Sequence, residues 1–283
     1  MIKTNSSAFL ATNLPKIVLF LFLVGCSANP SVDQSEQAIT PATQTAQAAR
    51  AIALATQSSE IVKATFSANY ADVIATEEAL NNYYTERTNW PLIMRDTFDD
   101  NRNEWPFEDD NDDLASVSWK IENGKYLWDV KAKQAFIYWT YPSVTPVTDF
   151  TLSIDGQQIE GSQDGQYGLV FRLLDEYNYY LFMIDQDKNY SFQLYSDGEW
   201  FTITYGTIIP AVLQDAGNRI TVIGEGNIFR FYINDTFFSE ETDYTLTSGK
   251  SGIAVGLTYP EDQAIFEFDN FELRSPEETG NFE

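Results

Sequence analysis

The chain has 283 residues, 42 of them Asp or Glu against 17 Lys or Arg and no His, for a formal net charge of -25. So acidic a chain repels phosphate backbones and anionic headgroups, which excludes nucleic acid as a partner. The lack of His removes Ser-His and Cys-His nucleophiles and His-ligated metals, and a single Cys removes intrachain disulfides and thiolate clusters. What remains is carboxylate chemistry, a hard-cation site, or binding without chemistry.

In chain order, the first segment carries Lys3 and Lys16 and then an apolar run from Ile17 to Val24 that ends Leu23-Val24-Gly25-Cys26-Ser27. The run is too short to span hydrocarbon, which takes about 20 residues, but has the length of a signal-peptide core. With small Gly25 before the only Cys, it resembles a bacterial lipoprotein signal. That resemblance implies removal of residues 1–25, lipidation of Cys26, and an anchor on the extracytoplasmic face of a bacterial membrane. Residues 26–42 then read as a flexible linker, with Pro30 and Pro41. Residues 43–89 read as a helical spacer, free of Pro and Gly up to Arg87, with Val62, Phe66, Tyr70, Val73, Leu80 and Tyr84 at rough helical spacing. Glu77 interrupts this stripe and argues against a coiled coil, so a monomer is expected.

Trp90-Pro91 closes the helical pattern, and strand signals follow to residue 275. Eleven segments are predicted: Lys125 to Val130, Ala135 to Thr140, Phe150 to Ile154, Tyr167 to Leu174, Tyr179 to Ile184, Tyr190 to Tyr195, Trp200 to Tyr205, Arg219 to Ile223, Ile228 to Ile233, Gly252 to Thr258 and Ala264 to Leu273. Turn chemistry separates them, as in Asn123-Gly124, Asp197-Gly198 and Asn234-Asp235. The spacing leaves no room for crossover helices, so the fold class is all-β, a two-sheet antiparallel sandwich over 93–275. Residues 276–283 form an acidic tail.

Alternation assigns the faces. Phe192, Leu194, Phe201, Ile203, Phe229, Phe231 and Ile233 should fill the layer between the sheets, opposite Tyr195, Thr204, Arg230, Tyr232 and Asn234. Arg172, Gln193, Trp200 and Thr202 should then line an outer face able to stack on and hydrogen-bond a sugar or peptide.

The order Asp96-Thr97-Phe98-Asp99, Trp105, Gly124-Lys125-Tyr126, Tyr167-Gly168-Leu169-Val170-Phe171-Arg172, Asn178-Tyr179-Tyr180-Leu181-Phe182, Gly198-Glu199-Trp200, Phe231-Tyr232-Ile233-Asn234, Gly252-Ile253-Ala254-Val255 and Phe268-Asp269-Asn270-Phe271 resembles bacterial concanavalin A-like, or laminin G-like, jelly-roll domains. These include the family named for 3-keto-disaccharide hydrolase activity. The resemblance implies a jelly roll, in a group that spans glycan binders, adhesion modules, enzymes and spacers.

Glu267-Phe268-Asp269-Asn270-Phe271-Glu272 resembles the Glu-x-Asp-x-x-Glu signature of laminarinase-type glycosidases, which makes Glu267 and Glu272 the candidate catalytic pair. Phe266 and Phe268 are out of phase with Phe271 and Leu273, which predicts a bulge. A second reading has Phe268 and Phe271 plugging the core while Asp269 and Asn270 tie this strand to Phe98-Asp99. No cofactor is required, but Ca²⁺ suits two oxygen-rich loops, 96–113 and the one bearing Asp185 and Asp187. The expected function is a membrane-anchored, non-catalytic binding module for a glycan or other extracellular polymer. A carboxylate-dependent glycoside hydrolase and a structural lipoprotein that binds an envelope protein are the alternatives.

Overall fold

The computed structural model describes residues 75–207 and 217–276, together with Glu60 and Lys63. Cys26, the signal and linker segments, most of the spacer and residues 277–283 of the tail lie outside the described residues. The chain divides into two compact units, one spanning Ala8–Ala79 and one that includes Leu80 and everything C-terminal to it.

A helix, α1, covers residues 75–88. Fifteen strands follow: β1 (Leu92–Asp96), β2 (Asp110–Asn111), β3 (Ala115–Glu122), β4 (Lys125–Ala132), β5 (Phe136–Thr140), β6 (Phe150–Gly161), β7 (Gln166–Asp175) and β8 (Asn178–Asp185). The remainder are β9 (Asn189–Ser196), β10 (Glu199–Thr207), β11 (Asn218–Glu225), β12 (Ile228–Ile233), β13 (Thr236–Thr242), β14 (Lys250–Leu257) and β15 (Gln263–Arg274). All eleven predicted segments are strands. β1, β2, β3 and β13 are additional.

Every pairing is antiparallel. One sheet runs β13-β12-β11-β6-β15-β4-β3-β2, with β1 also on β15, and the other runs β10-β9-β8-β7-β14-β5. We call these the nine-stranded and six-stranded sheets. Local sequence sets the tight hairpins. Asn123-Gly124, Asp197-Gly198 and Asn234-Asp235 all have positive φ at both positions, as a two-residue turn matched to strand twist requires.

The layer between the sheets is filled as alternation predicts: Phe192, Phe229, Phe231, Ile233, Phe266 and Phe268 are all buried in one cluster. Each fully buried side chain of this size contributes about 2 to 3 kcal/mol. Two positions of β10 depart from prediction. A bulge between Thr202 and Thr204 pairs Thr204 with the inward-facing Phe192, so Thr204 leaves the outer face. Phe201 sits opposite core residue Leu194 but is 49% exposed, because β10 is the edge strand and little packs over its end.

The predicted bulge in β15 is present. Its pairing with β6 jumps between Asp269 and Glu272, which lets Phe268 and Phe271 both point inward and be fully buried. Asp269 and Asn270, however, do not tie to Phe98-Asp99. Asp269 accepts a hydrogen bond from Lys125 Nζ at 2.8 Å, and Asn270 donates to Asp155 at 2.8 Å.

Candidate functional site

The outer face of the six-stranded sheet carries a second apolar cluster, built from the side chains that alternate with the core. Val170, Leu173, Tyr179, Leu181, Met183, Tyr195 and Ala254 form it, with Ile137, Trp139, Tyr141 and Trp200 packed against them. Five of its rings make a continuous row across the sheet. From Tyr141 to Trp139 the ring centroids are 6.1 Å apart, from Trp139 to Tyr179 5.5 Å, from Tyr179 to Tyr195 5.3 Å, and from Tyr195 to Trp200 4.7 Å. These spacings lie in the range of favourable tilted and offset contacts.

Trp139 is on β5 and Tyr179 on β8, with β14 and β7 between them. The positions in register with Trp139 are Ala254, Gly168 and Met183, and Tyr179 lies four residues from Met183 along β8, so the indole reaches the phenol ring obliquely across the sheet. Glycine is required at 168 by close approach, since a Cβ there would lie 2.0 Å from the Phe182 carbonyl oxygen. Burial pushes the Tyr179 phenol well above its usual value, with a hydrogen bond from Trp139 pulling weakly the other way. Tyr179 and Tyr195 are thus a fixed floor, 2% and 3% exposed, while Trp139, Tyr141 and Trp200 keep accessible surface.

Of the residues predicted for this face, Trp200, Gln193 and Thr202 are on it. Trp200 pairs with Tyr195, and Thr202 pairs with Gln193, which in turn opposes Leu181. Gln193 is half-buried and Thr202 exposed, so an amide and a hydroxyl border the rings. Lys250 adds an ammonium 4.3 Å from the Tyr141 ring centroid. Trp139, Tyr141 and Tyr179 were missed as site residues. The signal available was their alternation with buried Phe136, Tyr138 and Tyr180.

Arg172 is a correction. It adopts φ 47° at an irregularity of β7, where pairing with β8 jumps between Phe171 and Asp175. The side chain therefore turns into the closed end of the sandwich and is 1% exposed. It donates to the carbonyl oxygens of Leu246 at 2.7 Å, Thr148 at 3.3 Å, and Gly226, with its guanidinium 4.7 Å from the Phe229 ring. Burial lowers its pKa. This arginine ties three loops together and does not reach the outer face.

Glu267 and Glu272 both lie on the outer face of the nine-stranded sheet, out of phase with buried Phe266, Phe268, Phe271 and Leu273. Their β6 partners, Gln157 and Ser153, are four residues apart, or about 13 Å along the strand. Paired glycosidase carboxylates stand roughly 5 to 10 Å apart. Each is also committed elsewhere. Glu267 accepts from Gln157 at 3.1 Å and lies 3.8 Å from Lys125, beside a cavity of about 150 Å³ that Asp155 and Asp269 also line. Glu272 accepts from Arg95 Nε at 2.8 Å and Arg274 Nε at 2.5 Å. Burial raises the Glu272 pKa, but hydrogen bonds from Arg274 and Arg95 outweigh it and hold the carboxyl below its usual range. A general acid needs the opposite shift.

The calcium candidates are likewise engaged by protein donors. Asp185 is buried and accepts from Asn189 N at 2.8 Å and Asn189 Nδ2 at 2.9 Å, which closes the turn that carries exposed Asp187. Asp96 accepts from Phe98 N, Asn103 Nδ2 and Trp105 Nε1 at 2.6 to 2.8 Å. Among the described residues, no group of three or more His, Cys, Asp and Glu side chains is placed to hold a metal ion.

No protein-family model matches the chain, and no curated protein matches it. Solved structures show a likeness of fold. The carbohydrate-binding module CBM66 from Bacillus subtilis aligns with 65% of this chain and 97% of its own at 18% identity, with a TM-score of 0.42. A Bacillus subtilis protein of unknown function with a galectin-like fold aligns over 65% and 95% at 15% identity, TM-score 0.48. The catalytic domain of an endo-1,3-beta-glucanase (laminarinase) from Thermotoga petrophila RKU-1 aligns over 65% and 97% at 11% identity, TM-score 0.47.

Proposed function

We propose that this protein is a lipid-anchored, extracytoplasmic binding module for a glycan or similar extracellular polymer, and that it binds without catalysing a reaction. The observation that carries the reading is the row of five rings on the outer face of the six-stranded sheet, bordered by Gln193 and Thr202. Rings packed against one another at fixed tilts make a preorganised apolar surface, and the accessible Trp139, Tyr141 and Trp200 can stack on the apolar face of a pyranose at little entropic cost, while the amide and hydroxyl fix hydroxyl groups at the margin. A row that crosses several strands suits an extended chain better than a single sugar. The absence of catalysis is argued from Glu267 and Glu272, which sit on the other sheet and are each held in ion pairs.

A glycan array probed with the protein, with calcium and with chelator, tests the proposal. Binding to at least one polysaccharide is expected, and Trp200→Ala should weaken it by about tenfold or more, the effect of losing one accessible aromatic contact. Glu267→Gln should leave binding unaltered. Binding that survives Trp200→Ala, or sugar hydrolysis lost with Glu267→Gln, would overturn the proposal.

A further inference from the structure

Resting on that reading of the aromatic face, we infer that its ligand is a polymer carrying amino groups, a de-N-acetylated amino-sugar chain, in preference to a neutral or acidic glycan. The inference comes from how charge is distributed about the row. The six strands of this sheet contain two cationic side chains, Arg172 and Lys250. Arg172 is turned inward and buried, so Lys250 is the cation left to the face. It lies on β14, four strands from Trp200 on β10, or about 19 Å at ordinary strand spacing. That is beyond the distance over which an exposed charge acts at physiological salt, about 8 Å, so Lys250 does not offset the acids beside Trp200, although its pairing with Leu173 brings it near Asp175 at the β7–β8 tip.

At the Trp200 end the charge is all of one sign. The β7–β8 and β9–β10 hairpin tips lie side by side there, joined through Asn178, whose side-chain oxygen accepts from Ser196 Oγ at 3.2 Å and Asp197 N at 3.3 Å. The tips bring Asp175, Glu176, Asp197 and Glu199 within a few residues of Tyr179, Tyr195 and Trp200, and all four acids are exposed. Among the described residues none of the four forms an ion pair, whereas the cations of the nine-stranded sheet are largely paired with acids of their own sheet. Ring faces with a carboxylate rim attract ammonium groups twice, through the ring quadrupole and through the rim. An acidic glycan meets repulsion at the same place. The short side of the platform also carries exposed Leu174 and Tyr177, which extend the apolar surface onto the tip.

The test titrates the full chain with a glucosamine hexamer, its N-acetylated counterpart and hexalysine, at low and high salt. Mildly acidic buffer keeps the amines of the glucosamine hexamer and of hexalysine charged. At low salt the glucosamine hexamer should bind at least about fivefold more tightly than the acetylated one, and the ratio should fall toward one at high salt. The variant Glu176→Gln/Asp197→Asn/Glu199→Gln should reduce the low-salt ratio by about threefold or more, and Trp200→Ala should weaken both hexamers. A ratio of one or below at low salt, or a ratio that ignores the triple variant, overturns the inference. Hexalysine binding as tightly as the glucosamine hexamer and independent of Trp200 overturns it in favour of a basic peptide. Binding of the acetylated hexamer alone refutes only the charge preference, whereas no binding by either sugar refutes the glycan reading beneath it.

Discussion

Arg172 shows how a single backbone torsion reassigns a side chain. In a regular strand it would share a face with Val170, which lies in the outer cluster, and alternation read from sequence places it there. The positive φ at the irregularity of β7 swings it inward, where it satisfies carbonyls of three separate loops. Nearby, Tyr180 donates to Asp243 at 2.5 Å and accepts from Leu246 N at 3.1 Å, so the same end is closed by a second set of bonds. Replacing Arg172 with Ala should cost about 3 kcal/mol, since it leaves buried carbonyls unpaired and a cavity against Phe229. Chemical denaturation would measure this, and a loss below about 1 kcal/mol would contradict the assigned role. Trp200, Gln193 and Thr202 were legible because β9 and the start of β10 alternate without interruption. The ring row itself was not, because Trp139 and Tyr179 meet across β14 and β7, a contact set by strand order and not by any local pattern.

At the scale of elements, the informative one is α1. Its helical period was readable, but its final turns do more than space the domain from what precedes it. Tyr84 lies 4.6 Å from Tyr232 and donates to Asp235 at 2.5 Å, Tyr83 donates to Glu225 at 2.7 Å, and Arg87 reaches Glu225 at 3.2 Å. Arg87 and Arg230 place guanidinium carbons 3.9 and 4.1 Å from the Tyr83 ring centroid. The helix end thereby covers the outer face of β11 and β12, where Thr221 and Tyr232 are buried. In sequence Tyr232 and Arg230 read as ordinary exterior positions, so the docking was not legible there. β3 was missed because Ser116, Ser118, Lys120 and Glu122 occupy its outward positions, and β13 because Ser239 and Glu241 stand opposite core Phe231 and Phe229 past a bulge, which breaks its apolar alternation.

This docking makes stability depend on alkaline pH. Burial, and then hydrogen bonds to Glu225 and Asp235, raise the Tyr83 and Tyr84 phenols above their usual value near 10. The folded state therefore keeps protons that the unfolded chain releases, so the contribution is full below about pH 10 and is lost as pH rises toward the folded values. Other buried tyrosines add to the same trend. Tyr83→Phe/Tyr84→Phe removes two of these protons, so its melting temperature should fall less steeply above pH 10 than that of the parent chain. Identical slopes would mean that these phenols are not buried against the sheet.

On the scale of the whole molecule, the two outer faces of the sandwich differ in character. One is covered by the end of α1 and carries most of the paired cations; the other bears the ring row. Attachment through Cys26 is the expectation that places this sandwich outside the cell. Cys26→Ser should abolish metabolic lipid labelling and shift the protein from the membrane fraction; unchanged labelling would end that assignment. If a polymer is held on one sheet and the chain leaves toward its anchor from the other, any pull between them is borne across the thickness of the sandwich. Such a pull enters the sandwich through α1, so it is met first by the Tyr83, Tyr84 and Arg87 contacts that hold the helix end to the sheet and next by the ladder between β1 and β15. The docked helix end thus acts as a strain relief, taking up load before the ladder and the core behind it.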